Sequence, residues 1–139
     1  MPQTTDFQKH ATEVLIDPLA KGQYLLLAYD SAGKNILQKG AFQVTEHSFI
    51  ELPSGQHTEY LISERRSGKP VVGAQVLLQT KENNYRNPIY RSITSDSNGR
   101  IRYRARTYHY GVFATLTVAA DTTYFGDFYI SQRSRNSRE

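Results

Sequence analysis

Four arginines fall at alternate positions in the stretch GRIRYRART: Arg100, Arg102, Arg104 and Arg106. Side chains two apart on an extended chain are separated by roughly 7 Å, so the row covers roughly 20 Å. A row of guanidinium groups suits a polyanion. Tyr108, Tyr110 and the tail residues Arg133, Arg135 and Arg138 add rings and charge nearby in sequence. A positive groove with stacking aromatics is how single-strand nucleic-acid binders work. The simpler use of the pattern is structural. The outward face of a half-buried strand must be polar, and arginine there discourages edge-to-edge aggregation. The tyrosines are spread through many segments rather than gathered beside the row. The row is therefore a candidate polyanion face, and nucleic acid is not the expected partner. The net charge of +4 fits a weak polyanion preference and equally fits inert domains.

Other chemistry finds less support. Asp96 and Asn98 could alternate as oxygen ligands to calcium, but the further carboxylates of a closed site are missing. GKPVVGAQV lacks the spacing of a phosphate loop, and no helical pattern follows it. The four histidines, His10, His47, His57 and His109, lie far apart and have no metal-ligand spacing. The chain has no cysteine, which excludes disulfides, thiolate metal sites and a cysteine nucleophile. No G-x-S-x-G elbow is present. Carboxylates brought together from distant strands are left open by the sequence. No catalytic residue, metal ligand or cofactor is expected.

These residues need elements to hold them, and the elements read as strands. Ten Tyr and six Phe favour strands over helices. Period-two alternation dominates and no helical stripe competes with it. Expected strands are Thr12 to Asp17, Gly22 to Asp30, Ile36 to Thr45, Glu59 to Glu64, a strand carrying Ala74, Val76 and Leu78, and Ile89 to Thr94. Three more follow: Ile101, Tyr103 and Ala105 against the arginine row, then Val112 to Ala120, then Tyr124, Gly126, Phe128 and Ile130 in phase. The segment GQYLLLAYD is apolar on both faces, which usually means a strand covered on both sides. The first segment is read as three strands, the last two of them a hairpin. No run approaches the roughly 18 apolar residues of a membrane helix, so no membrane insertion is expected. Residues 1–20 lack the basic start and apolar run of a signal peptide.

Two turns punctuate the later half. Gly68 can supply a positive φ, Pro70 fixes its own φ, and Gly73 sits where a bulge or close backbone approach is expected. Together they stop one strand and set the register of the next. In TSDSNGRI, Asp96 can bond amides two residues on, and Asn98 followed by Gly99 signals a tight hairpin. Gly68, Pro70, Gly73, Asp96, Asn98 and Gly99 are thus expected to be turn residues. The segment ELPSGQHT, residues 51–58, breaks the pattern and reads as a linker.

At this spacing SGKPVVGAQVLL, a variable loop and ITSDSNGRIRY resemble the macroglobulin-like domain of the alpha-2-macroglobulin family, in its bacterial form. Ser67 stands where the family commonly has Thr, and Ser95 with Asp96 where it has Thr and Asp. The run ADTTYFGDFYIS resembles the end of such a domain. LAKGQYLLLAYD with its return to Phe42 and Val44 resembles the last strands of a preceding one. The phase of Tyr24, Leu26 and Ala28 also resembles the tyrosine-bearing strand of immunoglobulin and fibronectin type III sandwiches.

The resemblance implies an all-β antiparallel sandwich of immunoglobulin or fibronectin type III kind. Residues 1–52 would be the C-terminal strands of a preceding unit, 57–133 the sandwich itself, and 134–139 a disordered tail. It implies a non-catalytic structural module of a secreted or envelope-anchored protease-trapping protein. The partners are then neighbouring domains of the same parent chain and, through the parent, a target protease. Full-length members often carry a Cys-Gln thioester, which this chain cannot, having no cysteine. The loop KENNYRNP, residues 81–88, is the expected contact surface.

Overall fold

The computed structural model describes residues 13–52, 54, 57–81 and 88–130. These residues contain nine strands: β1 (Gly22–Tyr29), β2 (Ile36–Val44), β3 (His47–Leu52), β4 (Thr58–Glu64), β5 (Gln75–Thr80), β6 (Tyr90–Thr94), β7 (Arg100–Tyr103), β8 (His109–Val118) and β9 (Asp121–Ile130). They form a three-stranded sheet of order β3-β4-β7, a four-stranded sheet of order β6-β5-β8-β9, and a separate β1-β2 hairpin. All pairings are antiparallel.

The two larger sheets make a sandwich because each turns an apolar row toward the other. Tyr60 and Ile62 of β4 and Ile101 of β7 meet Val76 and Leu78 of β5 and the Val112, Ala114, Leu116 row of β8 in one buried cluster. Burying one such aliphatic side chain contributes about 1.5–3 kcal/mol. Phe49 of β3 stacks on Tyr60 at 4.6 Å and reaches across to Phe125 at 5.5 Å, closing the layer on that side.

The all-β class read from the alternation is the observed one, and several boundaries differ from the reading. Residues 13–20 form no strand, and Leu15 is 98% exposed. A strand at 47–52, whose alternation is broken by His47 and Glu51, was not expected; it pairs with β4 from His47↔Glu64 to Leu52↔Glu59. The segment read as a linker therefore joins neighbouring strands of one sheet. The turn at Asp96 to Gly99 is not a hairpin within a sheet, because β6 and β7 leave it into different sheets. The arginine row is not one strand, because β7 ends at Tyr103. In β9 the buried phase runs through Thr123 and then Ile130, with pairing irregularities opposite Val112; Tyr124 is exposed. The residues 82–87 of the expected contact loop, His10, the tail 134–139 and Arg133, Arg135 and Arg138 lie outside the described residues.

Candidate functional site

The turn residues come together as one structural joint. Gly68, Gly73 and Gly99 all take positive φ, at 70°, 74° and 69°. At Gly99 this conformation is combined with contact: a Cβ there would lie 2.6 Å from the Ile62 carbonyl oxygen and 2.8 Å from Pro70 Cβ. The Ile62 amide donates to the Gly99 carbonyl at 2.8 Å, and the Val71 amide donates to the Ile62 carbonyl at 2.9 Å. Pro70 makes an isolated bridge to Ser63. The two glycine turns thus pinch β4 between them. Asp96 Oδ1 accepts from the Asn98 and Arg100 amides, both at 2.9 Å. These backbone bonds, that from Arg100 foremost, hold its carboxyl below the usual carboxylate range. The carboxylate is occupied by its own turn.

Ser95, which the sequence pattern placed without a role, completes the joint. It is buried; its hydroxyl donates to the Val71 carbonyl at 2.7 Å and accepts from the Ala74 amide at 2.9 Å. A small hydroxyl residue directly before the Asp of the turn was the available signal. Among the described residues, no three His, Asp or Glu side chains converge as a metal site.

The arginine row divides in two. Arg100 and Arg102 turn to Glu59, at 2.9 and 3.2 Å, and His57 Nε2 lies 3.1 Å from the same carboxylate. Glu59 is almost fully buried. The His57 contact first, then Arg100 and Arg102, hold its carboxyl below the usual range against the opposing effect of burial. Arg104 and Arg106 follow the end of β7 and have no carboxylate within ion-pair distance among the described residues.

Their neighbour is an arginine that sequence reading passed over. Arg91 of β6 lies opposite Leu78, and Ile93 opposite Val76, so both point to the inner face of the sandwich. Tyr103 of β7 lies opposite Thr58, two residues along from the buried Ile101, and also points inward. The sandwich is therefore open where β6 and β7 face each other. A cleft of about 640 Å³ runs there between Arg91, Ser92, Ile93 and Thr94 on one side and Arg102, Tyr103, Arg104 and Arg106 on the other. A second hollow of about 310 Å³ continues it toward Thr107 and His109. His109 is buried, and burial pushes its imidazole below the ordinary histidine value.

A second surface is apolar. In the β1-β2 hairpin the adjacent residues Leu25 and Leu26 point to opposite faces and are 63% and 51% exposed. Tyr29, Ile36, Leu37 and Phe42 extend both faces. The expectation that this strand is covered on both sides is not met within the described residues. The hairpin holds the sandwich through polar contacts. The Gln43 side chain accepts from the Tyr124 amide and donates to the Tyr124 carbonyl, and Thr45 meets Thr123 at 3.0 Å.

Comparison with known proteins finds no matching family model, no matching curated protein and no matching solved structure. No helix of the described residues is long and apolar enough to cross a membrane.

Proposed function

We propose that this chain is a non-catalytic β-sandwich module that serves as a structural and interaction element of a larger secreted or envelope-anchored protein of alpha-2-macroglobulin type. One observation carries the reading: the β1-β2 hairpin displays leucines on both faces, and nothing among the described residues covers them. A two-stranded ribbon with little core of its own needs a cover, and large exposed apolar patches mark interaction surfaces. The cover is a neighbouring β-sandwich of the same parent chain.

Two further observations support it. The residues that carry the macroglobulin-like resemblance, Gly68, Pro70, Gly73, Asp96, Asn98 and Gly99, are spent on one joint around β4, as a fold motif requires. The strand order favours immunoglobulin-type wiring, with β3, β4 and β7 in the places of A, B and E, and β6, β5, β8 and β9 in those of C′, C, F and G.

The test is a photo-cross-linker at position 25 in the native host. The reading expects an intrachain adduct to another β-sandwich of a much longer polypeptide. A native product of only 139 residues, or adducts confined to a second copy, would overturn it.

A further inference from the structure

We propose that the cleft between β6 and β7 binds an extended acidic peptide segment, which adds as a strand to the free edge of β6 or β7 and places its carboxylates on Arg91, Arg104 and Arg106.

Three observations converge on this occupant. The first is charge. Arg91, on β6, and Arg104 and Arg106, in the segment after β7, line one cleft from its two sides, and none has a carboxylate partner among the described residues. Arg100 and Arg102 already share the buried Glu59, which leaves Arg91, Arg104 and Arg106 as the uncompensated charges of the cleft. Guanidinium groups pair with carboxylates through two parallel hydrogen bonds.

The second is backbone. β6 and β7 are each the outer strand of their sheet. Four consecutive residues of β6, Arg91 to Thr94, line the cleft, so it runs along the strand edge rather than over one face. An edge strand offers unpaired amides and carbonyls to an incoming chain. The opposite side of the same sheet is treated differently: Gln43 caps the β9 edge by pairing with both backbone groups of Tyr124. No such cap is found on β6 among the described residues.

The third is the floor. Ile93 and Tyr103 are half-buried inner-face residues beneath the arginines. A strand with one apolar and one acidic face fits that arrangement: its apolar side chains continue the core layer and its carboxylates meet the rim. A sugar polyanion or a nucleic acid would use the charge but neither the edge amides nor the apolar floor. The exposed Tyr108, Tyr110 and Tyr129 that could stack bases pack on one another around β8 and β9, on the far side of the sheet from β6.

The experiment measures binding of a seven-residue peptide alternating glutamate with valine. It is compared with the same peptide N-methylated at alternate backbone amides, a heparin-derived hexasaccharide and an oligothymidylate. Amide NMR shifts locate the site. The peptide is expected to shift residues 91–94 and 101–104. Its affinity should fall at least about tenfold on N-methylation, and at least about tenfold in the variant Arg91→Ser, Arg104→Ser, Arg106→Ser. Arg91→Ser alone, on an exposed side chain, should give a smaller loss with an unchanged melting temperature. Equal binding of the methylated peptide, tighter binding of the hexasaccharide or oligothymidylate, or wild-type affinity in the triple variant would overturn the proposal. None of these results bears on the hairpin, so this inference and the modular reading fail separately.

Discussion

The hairpin β1-β2 and the strand pair β5-β8 are built from similar sequence and end in opposite environments. YLLLAY and QVLLQT both carry central leucines, and both strands pair antiparallel with a well-defined register. In β5 and β8, Val76, Leu78 and Leu116 are fully buried beneath the facing sheet. In β1, Leu25 and Leu26 remain exposed on opposite faces. The hydrogen-bond ladder is therefore not what separates a core strand from an uncovered one. The second layer is, and among the described residues only β3 to β9 have one.

The largest effect that would break the comparison is a matched pair of truncations. Leu116→Ala should cost about 2–5 kcal/mol, as a deletion in a close-packed core. Leu25→Ser should change stability by no more than about 0.5 kcal/mol. Urea denaturation of the two variants reads the difference directly, and equal costs would mean that the hairpin is buried in solution.

The glycine joint gives the next. Gly99→Ala and Gly73→Ala face the same positive φ, but only at Gly99 does an added methyl meet backbone. Gly73→Ala should cost about 1 kcal/mol, for the φ alone. Gly99→Ala should cost about 2–4 kcal/mol, from φ and overpacking together. Thermal melts that rank the two alike would remove the claim that the turns clamp β4.

Ser95→Ala comes next, at about 1–3 kcal/mol, because it leaves the Val71 carbonyl and the Ala74 amide without their buried partner. A Ser95→Thr variant retains the hydroxyl and should recover part of the loss.

The smallest effects are titrations. Glu59 and His109 both bind protons less readily folded than unfolded. In each case the unfolded chain takes up the extra proton, so stability rises with pH. The contribution of His109 is complete above about pH 6.5 and is lost as the pH falls below it. That of Glu59 is complete above about pH 4.3 and is lost on further acidification. Urea midpoints between pH 7.5 and 3.5 should fall in two stages; Glu59→Gln should reduce the lower stage, to which the depressed carboxyl of Asp96 also contributes, and leave the upper one unchanged. The hairpin variant Leu25→Ser should leave both stages unchanged, which keeps this measurement a property of the sandwich.

Much of the fold was legible because alternation and turn chemistry are local. Val76 with Leu78, and Val112 with Ala114 and Leu116, announced their buried rows. Gly68 announced its positive φ, and it has one; Gly73 was read as a close backbone approach, but it is open on its Cβ side and takes a positive φ, while the close approach falls at Gly99. His47–Leu52 was missed because the neighbours of its inward Phe49 on the same face, His47 and Glu51, are polar, and its partner lies across the segment read as a linker. The arginine row was overread. Alternation continues past Tyr103 in the sequence, while β7 stops there. Arg91 gave no signal at all, since an isolated arginine in YRSIT looks like any outward residue until Leu78 is seen opposite it.

The sequence by itself determined that this chain is all-β and where it must bend, because side-chain direction and glycine φ are set within a few residues. Only the tertiary structure decided which strands share a sheet and that the Asp96 to Gly99 turn crosses between layers. The same structure spends two arginines on Glu59 and leaves three others facing an open edge. Sheet membership depends on pairings between residues tens of positions apart, and no local pattern records which partner a strand will take.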